Sequence, residues 1–142
     1  MEEILKTKGY LVVAPVGFSM LPLIRQKKDV VALEKIVGRA KKNDIILYKR
    51  KNGKYVLHRV IEVRTNDYVL CGDNQYTLEY GICDEQVLAV LKEFYRGEHL
   101  VSLSKWWYQI YVKVWCFYIP MRKVILVPYN LGRRIVHRLV RN

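Results

Sequence analysis

Short apolar runs alternate with polar turns through the first hundred residues. Val30-Val31-Ala32-Leu33-Glu34-Lys35, Asp44-Ile45-Ile46-Leu47-Tyr48, Tyr55 to Val63 and Tyr68-Val69-Leu70-Cys71 each have the length and the β-branched or aromatic content of a strand. Val87 to Leu91 with Glu93-Phe94-Tyr95 supplies the last one, before a turn at Arg96-Gly97. Tyr10 to Val16 reads as a strand or extended segment, and Pro15 marks an edge because proline brings no N–H to a ladder. Residues 3–8 suit a short helix that Lys8-Gly9 ends. Asn52-Gly53 predicts a hairpin of type I′, in which both central residues need positive φ, and Asn66-Asp67 predicts a second hairpin. The expected fold class is mainly β: a small antiparallel domain over residues 1–100, without internal repeats.

From Ser104 the pattern changes. Trp106 to Ile119 is apolar almost all round, and Pro120 is expected to break or kink it. The run is shorter than the ~20 residues of a spanning helix, and Arg122-Lys123 would be costly to bury. Its tryptophans and tyrosines suit the headgroup level, and the basic residues beyond suit anionic lipid. Residues 101–142 are therefore expected to form a helical, aromatic and basic segment lying on a membrane.

Charge sharpens that picture. The net charge is +12, and no acidic residue follows Glu98, whereas Lys105, Lys113, Arg122, Lys123, Arg133, Arg134, Arg138 and Arg141 do. Such a block points to an anionic partner, either a membrane surface or nucleic acid. Nucleic acid is disfavoured, because no helix-turn-helix is recognisable and the aromatics sit too densely among aliphatics for a base-stacking groove. Three cysteines, Cys71, Cys83 and Cys116, have neither a disulfide framework nor zinc-ligand spacing. Cys71 reads as a small buried strand residue. No metal or cofactor is expected. The acidic start, Met1-Glu2-Glu3-Ile4, is not expected to be a secretory signal or an anchor.

Candidate chemistry lies in three segments: Gly17-Phe18-Ser19-Met20-Leu21-Pro22, Tyr55-Val56-Leu57-His58-Arg59-Val60 and Cys71-Gly72-Asp73-Asn74. In this order they resemble the motifs of the signal peptidase I family and of the related self-cleaving LexA-like repressors, over roughly residues 10 to 95. The common bacterial enzymes carry a lysine base where this chain has His58. His58-Arg59-Val60 is similar instead to the endoplasmic-reticulum and archaeal type. The resemblance implies a serine endopeptidase with Ser19 as nucleophile and His58 as general base. A histidine is neutral at pH 7 without burial, and works best with a carboxylate that fixes its tautomer. Asp73, in Gly-Asp-Asn, and Glu79, six residues on, compete for that role. His99 and His137 are poor candidates, and Asp84 and Glu85 read as exposed loop acids. The family's hydroxyl-bearing oxyanion donor, two residues before the serine, is Gly17 here.

The expected substrate is a leader or precursor peptide with small residues before the cleaved bond. The expected place is a membrane surface on its cytoplasmic face. Two other readings stay open: a non-catalytic membrane-surface binding module with a peptidase-like fold, and a LexA-like self-cleaving protein.

Overall fold

A computed structural model describes residues 1–139. The side chains of Phe117, Asn130 and positions 133–139 fall outside the description, so the expectations for Arg133, Arg134, His137, Arg138 and Arg141 lie outside the described residues. The chain runs α1 (Glu2–Lys8), β1 (Tyr10–Val13), β2 (Asp29–Lys35), β3 (Ile45–Lys49), β4 (Tyr55–Val63), β5 (Tyr68–Cys71), β6 (Glu79–Ile82), a one-turn 3-10 helix (Asp84–Gln86), β7 (Val87–Arg96), β8 (His99–Ser102), α2 (Trp106–Phe117) and α3 (Ile119–Leu139). It is mainly β, with one antiparallel sheet of eight strands.

β7 is the spine of that sheet. β2 pairs along its length on one side, while β3 and then β8 share the other; β4, β5 and β6 continue outward from β3. Two apolar clusters form because successive strand residues face opposite sides. Val31, Leu33, Ile45, Leu47, Leu91 and Phe94 build the larger, which Leu5 of α1 and Tyr108 and Val112 of α2 join. Ile46, Tyr48, Val60, Tyr68, Leu70 and Ile82 build the smaller. Helix α1 ends where Gly9 takes φ 76, a left-handed C-cap that glycine adopts without steric cost.

Several expectations need correction. The Asn52-Gly53 hairpin is not type I′: only Gly53 has positive φ, its N–H donates to Arg50 O, and Arg50 N–H donates to Lys54 O. This is a longer loop closed by a left-handed glycine, and it shifts the β3–β4 register by one residue. Neither β6 nor β8, which begins at His99, was expected. The break expected at Pro120 is present: α2 ends at Phe117 with Tyr118 as its C-cap, and Pro120 sits in the first turn of the new helix α3, where its missing N–H costs nothing. Among the described residues, no helix is long and apolar enough to cross a membrane.

The aromatic run is also not uniform. Trp106, Ile110, Val114 and Tyr118 form an exposed stripe at helical spacing, but Tyr108 turns inward to accept from Arg59 of β4, and Tyr111 and Trp115 donate to Asp73 in the loop after β5. Arg122, judged costly to bury, is 1% exposed and fully engaged. Its guanidinium donates to the carbonyl oxygens of Trp115, Gly72 and Gln75 and lies over the Trp115 ring. Several carbonyl dipoles around a cation replace the water it loses.

Candidate active site

Ser19 lies in the turns between β1 and β2, just before a cis Leu21–Pro22 peptide. Its carbonyl oxygen accepts from Asn74 N–H at 2.7 Å. Gly72 packs directly against it: a Cβ on Gly72 would sit 2.6 Å from Ser19 O and 3.0 Å from Ser19 Cβ, so only glycine permits the approach. The Gly72–Gln75 loop thus forms the seat of Ser19.

Ser19 and His58 line one cavity of about 230 Å³, together with Pro15, Val16, Met20 and Gln75. The β3–β4 register places His58 opposite Ile46, with Tyr48 diagonal to it on the same face. Tyr48 donates its hydroxyl proton to Glu79 Oε2 at 2.6 Å, and the Tyr48 oxygen lies 3.1 Å from His58 Nδ1. Tyr48 Oη therefore accepts from His58 Nδ1–H, and the lone pair is left on Nε2. Glu79 Oε2 is itself 3.7 Å from Nδ1. Arg50 clamps Glu79 with two hydrogen bonds, 2.8 and 2.6 Å. The line runs His58–Tyr48–Glu79–Arg50.

The electrostatics follow. Burial lowers the His58 pKa to about 4, against which the Glu79 charge pulls upward, so the ring is neutral at pH 7. Burial opposes ionisation of Glu79, but hydrogen bonds from Arg50 and Tyr48 outweigh it and lower its pKa. Burial first, and the Glu79 hydrogen bond second, raise the Tyr48 pKa, so the phenol stays protonated.

The two carboxylates proposed for orienting His58 are thereby separated. Asp73 is fully buried in a bidentate pair with Arg59, at 2.8 and 2.7 Å, and also accepts from Tyr111 at 3.0 Å. Adjacent strand residues face opposite sides, so Arg59 points to α2 while His58 points to Tyr48. Glu79 is the carboxylate the structure brings to the His58 ring. Asp84 pairs with Arg39, Glu85 is exposed, and His99 is exposed on β8.

Cys71 is free and buried at the end of β5, where burial pushes its thiol up to about 11. Among the described residues no cluster of His, Cys, Asp and Glu could hold a metal ion. Sequence reasoning missed Tyr48, Arg50 and Arg122. No family model, no curated protein and no solved structure matches this chain.

Proposed function

We propose that the chain is a serine endopeptidase resembling signal peptidase I, built on that family's small antiparallel β domain and cutting a leader or precursor peptide. The observation that carries the reading is Ser19 and His58 on one cavity, with the histidine tethered through Tyr48 to an ionised Glu79. Ser19 Oγ attacks the scissile carbonyl carbon while His58 Nε2 takes its proton. The carbonyl π electrons move to oxygen, and the Ser19 N–H faces the resulting oxyanion. The imidazolium, supported by Glu79 through Tyr48, returns its proton to the leaving amine as the C–N bond breaks. Water then hydrolyses the acyl-enzyme by the same path in reverse.

The exposed stripe of α2 and the basic residues beside it support a peripheral seat on an anionic membrane. That stripe also supports a second reading, a membrane-surface module without catalysis. Leader-type peptides with small residues before the cleaved bond, incubated in lipid with wild type, Ser19→Ala and His58→Ala, decide between them. Each variant is expected to lose at least about a thousandfold in kcat. A wild type no faster than Ser19→Ala sinks the peptidase reading.

A further inference from the structure

An oxyanion needs more than one donor, and removing one typically costs about 10²–10³ in kcat. Gly17, at the position where the resembling enzymes carry a hydroxyl, has φ 106, which a serine or threonine would enter only with strain. Its N–H is already bonded to Gln26 Oε1 at 2.9 Å. The second donor therefore has to come from another element.

We propose that the side-chain amide of Gln75 is that donor, a further catalytic residue of the Ser19 site. The inference rests on the serine-peptidase reading. Gln75 lines the same cavity as Ser19 and His58. Its Oε1 accepts from Gly72 N–H at 3.3 Å, which fixes the amide orientation, since an N–H can meet only the oxygen. The Nε2 hydrogens are left, and none of the described residues accepts from them. A Cβ on Gly72 would meet both Gln75 Oε1, at 2.9 Å, and Ser19 Cβ, at 3.0 Å, so both side chains pack against one face of that glycine.

The backbone of Gln75 is held as a donor platform should be. Its N–H donates to Gly72 O at 3.0 Å, and its carbonyl accepts from Arg122 at 3.2 Å. Gln75 and Arg50 also line a neighbouring cavity of about 460 Å³, bounded by Asn74, Tyr76, Thr77, Leu78 and Glu79. A peptide running through both cavities crosses Gln75 at their boundary.

The test uses N-acetyl-alanine p-nitrophenyl ester as probe at pH 8, with the full chain in detergent micelles. Gln75→Glu keeps the acceptor for Gly72 N–H but replaces the donor by a negative charge, whereas Gln75→Leu removes donor and acceptor without adding one, so a loss in both variants is what identifies the donor. Both variants are expected to lose about 10²–10³ in kcat with KM changed less than about threefold. Gln75→Glu at wild-type kcat would mean that Gln75 merely braces Gly72, and would overturn the proposal. So would a loss confined to KM. If Gln75→Leu does not fold, Gln75→Glu at wild-type kcat still overturns the proposal. Wild type no faster than Ser19→Ala fails the peptidase reading itself, an outcome distinct from active wild type with an active Gln75→Glu.

Discussion

Arg122 donates from Nη1 to the carbonyl oxygen of Gly72 at 3.2 Å, tying α3 to the loop on which Ser19 rests. The same guanidinium reaches Gln75 O and Trp115 O, so one side chain joins both helices to the site. Among the described side chains of α3, Ile119, Arg122 and Leu126 are the buried ones, at helical spacing. The C-terminal helices therefore position the candidate site, whatever else they bind.

Replacing Arg122 by methionine keeps the apolar stem and strands several buried carbonyls. Each unsatisfied buried group costs about 1–3 kcal/mol, so a total loss of at least about 3 kcal/mol is expected by urea unfolding. Arg122→Lys should recover only part, because one ammonium cannot span carbonyls from two elements. An unchanged midpoint in Arg122→Met would show that the clamp carries no stability.

Tyr48 and Glu79 act on His58 as one unit, so their removals should not add. Tyr48→Phe and Glu79→Gln are each expected to lower kcat by about 10–10³-fold, and the double variant little more than the worse single one. Asp73→Asn should behave differently. It breaks a buried pair and leaves Arg59 uncompensated, which typically costs about 3–5 kcal/mol, so stability and activity fall together. A folded, active Asp73→Asn beside an equally active Glu79→Gln would remove Glu79 from the relay.

The buried histidine also sets a pH dependence. His58 titrates near 4 when folded and near 6.5 when exposed. Above 6.5 both states are neutral and the fold has its full stability; as pH falls from 6.5 toward 4, the unfolded chain takes up the proton first and stability is lost. Glu79, whose pKa is lowered, contributes stability present above its ordinary value of 4.5 and lost below it, so the two windows are offset. Thermal midpoints should therefore decline between about pH 6.5 and 4.5 in wild type and much less in His58→Phe. The acid limb of kcat/KM is expected near 4 rather than 6.5. A limb at 6.5 would mean that His58 is solvated in the working enzyme.

Much of this was legible from residue patterns. β4 and β5 begin and end where their apolar runs do, and the three motif segments do converge: Ser19 and His58 share a cavity, and Gly72 packs on Ser19. The partner of His58 was not legible, for a physical reason. A type I′ turn at Asn52-Gly53 would set Leu47 opposite His58 and put Tyr48 on the other face; the extra loop residue moves the register by one and brings Tyr48 round. β6 and β8 escaped because Glu79–Ile82 and His99–Ser102 are short and carry few of the apolar residues that mark a strand. The inward role of Arg122 and Tyr111 depends on where α2 and α3 dock, which no local period encodes.

The outward face of those helices carries the last prediction. Trp106, Ile110 and Val114 project from α2, Tyr118 from its C-cap, and Met121, Val124, Ile125 and Leu131 from α3, with Lys105, Lys113 and Lys123 also exposed. Burying an aliphatic side chain in the acyl boundary gains about 1.5–3 kcal/mol. A lysine at an anionic surface adds about 1 kcal/mol. Ile110→Glu and Val114→Glu should each weaken binding to phosphatidylserine-containing vesicles by at least about tenfold, and Lys113→Glu by several-fold. Co-sedimentation with phosphatidylcholine vesicles, with and without phosphatidylserine and at rising salt, measures this. All three positions are exposed and none bonds the Gly72–Gln75 loop, so hydrolysis of a small soluble ester should survive each substitution. Loss of ester hydrolysis with unchanged vesicle binding would assign this face to the integrity of the fold instead of to lipid.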